Sequence, residues 1–150
     1  MYYITNFGDV HTGGLKYCAR KIIMSESAEN YIKAIYIIKK RNGVAHSVDV
    51  ARELGFSKPS VSRAMAILRK EGLIVMDYDG RIGFTAKGEK EAARIYERYS
   101  VLSNFIRAVA DVDDDTAQKD ACGIEHVISI KTFNGIKRYL RDHPELNGCI

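Results

Sequence analysis

The spacing of apolar residues near the start of the chain predicts two helices. A broad apolar stripe at helical spacing marks the first, over Ser27–Arg41, and Asn42-Gly43 is expected to end it. Ser47 is the expected N-cap of a short second helix, Val48–Leu54, which Gly55 ends. Val44 and Ala45 connect the two helices.

A third, amphipathic helix is predicted within Phe56–Gly72. Its apolar face is formed by Val61, Ala64, Met65 and Leu68. Its N-terminal half carries the hydroxyls and cations with which a DNA-reading helix contacts phosphates and base edges, together with a proline that can touch a thymine methyl: Ser57, Lys58, Pro59, Ser60, Ser62 and Arg63. With the short helix before it, this stretch has the spacing of a helix-turn-helix.

The period of apolar residues changes from 3.6 to 2 after Gly72, which predicts a β-hairpin turning at Asp77–Gly80. A hairpin that directly follows a recognition helix is a wing. Arg81, beside its tip, is a candidate for contact with a phosphate or the minor groove. The alternative is that Arg81 is a solvated turn residue without a role in DNA binding.

The remaining chain predicts helices only. Thr85 is expected to cap a long helix over Ala86–Val109, and three shorter helices follow, over Thr116–Cys122, Gly123–Ser129 and Lys131–Arg141. The fold class is therefore mainly α. We divide it into an irregular N-terminal extension (residues 1–23), a winged helix-turn-helix DNA-binding domain (24–88) and an α-helical domain for metal binding and dimerisation (89–150).

The charge distribution agrees with this division. The formal net charge is +4, and residues 24–88 carry eleven Lys/Arg against seven Asp/Glu, whereas residues 89–150 carry nine against eleven. A basic domain favours double-stranded DNA as a partner, and a helical layer after it favours a homodimer. Three cysteines, an odd number, argue against a disulfide framework. No apolar run of about 18 residues occurs, so we expect a cytoplasmic protein without membrane contact.

Candidate metal chemistry lies in the sequence Cys122-Gly-Ile-Glu125-His126. On a helix, positions i, i+3 and i+4 share one face, so thiolate, carboxylate and imidazole can converge on one ion. This donor set suits Fe²⁺, Co²⁺ or Zn²⁺ more than Mg²⁺ or Ca²⁺. A catalytic Cys122–His126 pair is the alternative from another class. Two residues one turn apart on one helix are poorly placed to flank a substrate, and we expect no enzyme. A winged-helix module that binds protein rather than DNA is a further alternative.

The chain resembles a known family over roughly Ser25–Leu140. The order AENYIKAIY, helix-turn-helix, LIVMDYDGRIGFTAKGEKEA and DACGIEHVIS is similar to that of the diphtheria toxin repressor and manganese transport regulator family. The resemblance implies a dimeric winged-helix repressor in its short form, without an SH3-like domain. It also implies a divalent metal, Fe²⁺ or Mn²⁺ with Co²⁺ and Zn²⁺ as further options, bound between the DNA-binding and dimerisation helices as co-repressor.

The resemblance also assigns ligand positions. Cys122, Glu125 and His126 match the iron-responsive branch, and Asn30 stands where the family has methionine or aspartate. Lys33 stands where manganese-type members have glutamate. The family's second site falls at Tyr99, Ser103 and Gln118, which implies that this site is lost.

Two hypotheses about regulation follow. In the first, Asn30, Cys122, Glu125 and His126 bind one transition metal that controls DNA affinity. In the second, Lys33 places a fixed positive charge near Glu125, in place of the ion, and the regulator is independent of metal.

Overall fold

The structure is a computed structural model that describes residues 25–147, so the predicted extension over residues 1–23 lies outside it. Its elements, in chain order, are α1 (Glu26–Asn42), α2 (Ser47–Leu54), α3 (Lys58–Lys70), β1 (Ile74–Met76), β2 (Ile82–Phe84), α4 (Ala86–Ala110), α5 (Asp114–Ile124), α6 (Ile130–Asp142) and a final 3₁₀ helix (Pro144–Asn147). The predicted mainly α fold is confirmed. A winged helix-turn-helix (α1–α3, β1 and β2) comes first, and a helical layer (α4–α6) follows it. None of the helices in this range is both long and apolar enough to cross a membrane.

The helix-turn-helix is defined by its ends. Gly43 has φ 79° and Gly55 has φ 66°, left-handed values that side chains with a Cβ rarely adopt, so each glycine stops its helix abruptly. Ser57 caps α3 as predicted. The prediction that Ser47 caps α2 is wrong, because the cap residue is His46, whose N–H donates to Asp49 Oδ2 at 3.0 Å. Asp49 thus satisfies the backbone from inside the first turn, and Ser47 becomes the first helical residue.

The wing is an antiparallel hairpin in which Ile74 lies opposite Phe84. It is tied to the connection between α1 and α2, since Ile82 N–H donates to Ala45 O at 2.8 Å and Arg81 pairs with His46. This pairing fixes the hairpin beside α3 instead of leaving it free at the end of the motif.

Helix α4 takes part in two hydrophobic cores. Its first half contributes Ala92 and Ile95 to the core of the DNA-binding unit, which includes Ile32, Ile35, Ile38, Val50, Val61, Met65, Leu68, Leu73, Ile74 and Ile82. Its second half contributes Leu102 to a smaller core with Ala121 of α5 and Phe133 of α6. The stretch of α4 around Arg98 and Tyr99 therefore lies between the two cores.

The sequence prediction for the segment after α4 is partly wrong. One helix, α5, covers Asp114–Ile124, and residues 125–129 form a turn, not the predicted helix Gly123–Ser129. The carbonyls of Glu125 and Ile128 accept hydrogen bonds from Arg98 of α4, at 3.0 and 2.6 Å, in place of further helical N–H groups. A tertiary partner thus binds the turn that follows the helix. The last predicted helix is confirmed, with Ser129 as its cap.

Candidate DNA interface and metal centre

The first candidate site is the outer surface of α3. Val61, Met65 and Leu68 are buried against the DNA-binding core, so the opposite side of the helix faces outward. On that side lie the exposed residues Lys58, Pro59, Ser62 and Arg63, together with exposed Ser57 and half-buried Ser60. All six predicted residues are therefore brought together over two turns at the N-terminal end of α3.

The serines at the start of α3 already bond to each other. Ser57 Oγ accepts the N–H of Ser60 at 3.4 Å, and the two hydroxyl oxygens are 2.9 Å apart. The cap uses part of the hydrogen-bonding capacity of Ser57. Lys58, Ser62 and Arg63 make no such contact within the helix cap, which leaves them as the principal candidates for reading DNA.

Arg81 lies on the wing, apart from the α3 residues. Its side chain is 59% exposed, and its Nη2 is 3.7 Å from Asp79 Oδ2. Its backbone N–H donates to Asp77 Oδ1 at 2.8 Å. The guanidinium is available to a phosphate, although Asp79 competes for it. Tyr78, which the sequence analysis did not single out, is 96% exposed at the tip of the wing.

The second candidate site is formed by Asn30, Cys122, Glu125 and His126, which we call the donor cluster. Cys122 Sγ lies 3.8 Å from Asn30 Oδ1, and His126 Nε2 lies 3.5 Å from Glu125 Oε1. The structure thus brings the four predicted residues together. The premise of a shared helix face is wrong in part, because α5 ends before Glu125 and His126, which reach the cluster from the turn.

A lysine lies at the centre of the donor cluster. Lys33 Nζ forms an ion pair with Glu125 Oε1, is 3.2 Å from Cys122 Sγ and lies 4.8 Å from the centroid of the Tyr99 ring. The lysine is only 6% exposed and Glu125 only 3%. The α1 lysine, which belongs to the DNA-binding unit, therefore bonds directly to residues of the helical layer.

Two residues outside the predicted set support the cluster. Glu29 Oε2 lies 2.7 Å from His126 Nδ1, which fixes the orientation of the imidazole ring. Arg98 holds the turn through its two carbonyl contacts. Adjacency to Asn30 is a weak signal for Glu29. Nothing in the sequence indicates that Arg98, 27 residues away from Glu125, holds this turn.

The donor cluster is largely shielded from water. Burial raises the pKa of the Glu125 carboxyl above its usual value, even though Lys33 and His126 act in the opposite direction. Burial, together with the nearby Cys122 and Glu125, raises the pKa of Tyr99 to about 12. The charge of the Glu125 carboxyl therefore depends on the cations that lie beside it.

The donor cluster fits a transition ion by chemistry, since it offers sulfur, carboxylate oxygen and imidazole nitrogen. Glu125 Oε2 and His126 Nε2 are both buried and have no hydrogen-bond partner in the part of the chain that the structure describes, so their donor capacity remains unfilled there. Within residues 25–147, however, no three side chains of the His, Cys, Asp and Glu types are arranged to hold a metal as they stand. The donors fit the ion, but their present arrangement is closed around the ammonium of Lys33.

Comparison with known proteins decides the family. The model described as "Iron dependent repressor, N-terminal DNA binding domain" matches residues 23–81, and that of the "Iron dependent repressor, metal binding and dimerisation domain" matches residues 85–147. The transcriptional regulator MntR of Escherichia coli O6:H1 is 33% identical over 118 residues, which cover 79% of this chain and 76% of that protein. The chain belongs to the iron-dependent repressor family.

Other relatives of this iron-dependent repressor family member agree. The HTH-type transcriptional regulator MntR of Bacillus subtilis is 31% identical, with 75% of this chain and 76% of that protein covered. The crystal structure of T. acidophilum IdeR superposes with a TM-score of 0.70 at 22% identity, over 78% of this chain. The manganese regulator SloR gives a TM-score of 0.68 at 24% identity. At these identities the two structures establish the fold alone, and this chain spans 55% of the length of each.

The family assignment confirms the resemblance inferred from the sequence. The family models describe repressors with a DNA-binding and a metal-binding, dimerising domain, and this favours a metal-responsive regulator over a metal-independent one. Both models describe a repressor, which is a transcriptional regulator.

Proposed function

We propose that the protein is a cytoplasmic, homodimeric transcriptional repressor that binds operator DNA through α3 and the wing, with a divalent transition metal of the iron or manganese type as co-repressor. The observation that carries the DNA-binding role is the N-terminal end of α3, where Lys58, Ser62 and Arg63 are exposed. The opposite side of this helix buries Val61, Met65 and Leu68. Membership in a repressor family supports the same role.

The surface of the helical layer supports the homodimer. Several large apolar side chains of this layer are exposed, at Val109 (55%), Ile124 (39%), Val127 (81%), Ile130 (64%) and Tyr139 (43%). Such surface is costly in water and is expected to be covered by a second copy. A two-fold axis would place two α3 helices in successive major grooves, with half-sites about 34 Å apart or a multiple of that distance.

The donor cluster is the proposed metal site, with Asn30, Cys122, Glu125 and His126 as the residues that would hold the ion. A bound divalent cation supplies positive charge to donors that come from α1 on one side and from α5 and its following turn on the other. Those donors belong to the two units that the repressor must hold in a fixed relation to read DNA. We also propose that the chain divides at residue 88 into a DNA-binding domain (24–88) and a metal-binding and dimerisation domain (89–150).

The test begins with operator selection from a random pool of duplex DNA by the purified protein in the presence of Mn²⁺ or Fe²⁺. Affinity for the selected duplex is then measured by fluorescence anisotropy at fixed salt, with Mn²⁺, Fe²⁺, Co²⁺, Zn²⁺ or chelator. We expect tight binding with at least one metal and weaker binding in chelator. Equal affinity with every metal and with chelator would refute the co-repressor role, and no duplex preference would refute the repressor.

Arg63 is the expected base reader. Arg63→Ala should weaken binding to the selected duplex by roughly 1–3 kcal/mol and largely spare a scrambled duplex, since a bidentate arginine–guanine contact carries that much discrimination. Arg141→Ala, at an exposed arginine of α6, is the charge-matched control and should change neither affinity. An equal loss on both duplexes would instead assign Arg63 to phosphate contact.

A further inference from the structure

Lys33 and a divalent ion would use the same atoms. The ammonium bonds to Glu125 Oε1 and contacts Cys122 Sγ at 3.2 Å, and these are two of the donors proposed for the metal. Glu125 Oε2 and His126 Nε2, by contrast, have no hydrogen-bond partner among residues 25–147. The ammonium of Lys33 therefore contacts two donors of the cluster and leaves two donor atoms without a hydrogen bond. This is the pattern expected when a singly charged ammonium takes the place of a divalent ion.

The two cations exclude each other on physical grounds. A divalent ion bonded to Glu125 and Cys122 would lie within a few ångströms of the ammonium, in a region where Lys33 and Glu125 are 6% and 3% exposed. Repulsion between like charges is strong where water is scarce. The lysine side chain is a flexible four-carbon stem, so rotation of this stem would be the way in which the ammonium leaves the cluster.

We propose that Lys33 is a built-in competitor for the metal: its ammonium occupies the donor cluster when no metal is bound, and metal binding must displace it. This inference rests on the proposed metal response and adds the residue that sets its threshold. The measured affinity for metal is the intrinsic affinity reduced by the fraction of molecules in which Lys33 has left the cluster. A lysine that occupies the cluster nine times out of ten therefore weakens metal binding about tenfold.

The first test compares metal affinities at one fixed pH. Wild type, Lys33→Met, Lys33→Leu and Lys40→Met are titrated with MnCl₂ and with CoCl₂ by isothermal calorimetry, and Lys33→Leu, which has no donor atom, shows whether the new thioether itself binds the metal. Lys40 lies on the same helix, is exposed and contacts the Tyr36 and Tyr96 rings, so its replacement makes the same change in charge away from the cluster. We expect Lys33→Met to bind metal at least about tenfold more tightly than wild type. Lys40→Met should match wild type.

The outcomes separate this inference from the proposed function. Equal metal affinity in wild type and Lys33→Met would overturn the competition and leave the metal response in place. No binding by either folded protein at about millimolar metal would overturn both. Binding by both Lys33→Met and Lys33→Leu, but not by wild type, would support the competition and show that the lysine blocks the response in the natural chain, whereas tighter binding by Lys33→Met without Lys33→Leu would assign the gain to the thioether and overturn the competition.

A second measurement needs no variant and so does not depend on the folding of Lys33→Met. Wild type is treated with a limiting amount of acetic anhydride at increasing Mn²⁺, and acetylation of each lysine is read by mass spectrometry. Lys33 should be protected without metal, whereas Lys119, whose side chain is 73% exposed, should react throughout as the internal reference. Protection of Lys33 should disappear as metal binds. Persistent protection at saturating metal would overturn the proposal.

Discussion

Gly88 is the third residue of α4 and lies directly against the backbone at the base of the wing. A Cβ built at this position would be 1.8 Å from the carbonyl oxygen of Leu73 and 2.7 Å from its carbonyl carbon. Normal contacts between non-bonded heavy atoms are about 3.5 Å or longer, so the overlap is well over an ångström. The obstructing atoms are backbone, and rotation of a side chain cannot remove them.

The expected effect of Gly88→Ala follows from two opposed terms. In an open helix, alanine would be favoured over glycine by up to about 1 kcal/mol. Here the Leu73 carbonyl also accepts the N–H of Thr85 at 3.1 Å and lies 3.3 Å from its hydroxyl, so moving it disturbs the start of α4. Overpacking of this kind typically costs 1–3 kcal/mol, and more where the backbone must move. We therefore expect the clash to dominate, with a net destabilisation of about 1–3 kcal/mol.

Urea denaturation of Gly88→Ala, followed by circular dichroism, measures the change. Gly135→Ala is the matched control, since Gly135 lies inside α6 and a Cβ there would meet no atom of residues 25–147 within 4 Å. The control should be unchanged or more stable by up to about 1 kcal/mol. If Gly88→Ala were as stable as Gly135→Ala, the close approach of α4 to the wing base described here would be refuted.

Two further predictions concern the donor cluster. Arg98→Met should lower the free energy of unfolding by about 1.5–3 kcal/mol, because it removes charged hydrogen bonds to the carbonyls of Glu125 and Ile128. Urea denaturation beside Arg138→Met, at an exposed arginine of α6, checks this, and equal stability of the two variants would contradict it. The raised pKa of Glu125 means that its contribution to stability is present below its unfolded pKa of about 4.3 and is lost as pH rises through the folded value. The stability of wild type relative to Glu125→Gln should therefore fall as pH rises through that window in a urea series, and a rise would contradict the shift.

Much of the DNA-binding unit could be predicted because its signals are local. The spacing of Val61, Met65 and Leu68 alone defines the buried face of α3, and Gly43 and Gly55 mark helix ends through backbone conformations that they adopt easily. Because these residues define the buried face of α3, the remaining positions of the helix are predicted to be exposed.

The donor cluster was predictable in composition but not in geometry. The turn after α5, which carries Glu125 and His126, is held by Arg98, a tertiary partner whose contact leaves no periodic trace in the sequence. Sequence reasoning did place Lys33 near Glu125. Only the structure shows that the ammonium bonds to Glu125 and contacts Cys122. It also shows that Glu125 Oε2 and His126 Nε2 have no hydrogen-bond partner among the residues it describes.

The path of α4 through both cores has a consequence for modularity. Ala92 and Ile95 lie beyond the division at residue 88, yet they belong to the core that supports α3. A fragment that stops at residue 88 would lack these two core residues and expose the surface they cover, whereas a fragment extended beyond Ile95 would keep them. The DNA-binding domain can therefore not be exchanged between relatives by a cut at residue 88. A chimaera made there would combine the α3 core of one protein with the Ala92 and Ile95 positions of another.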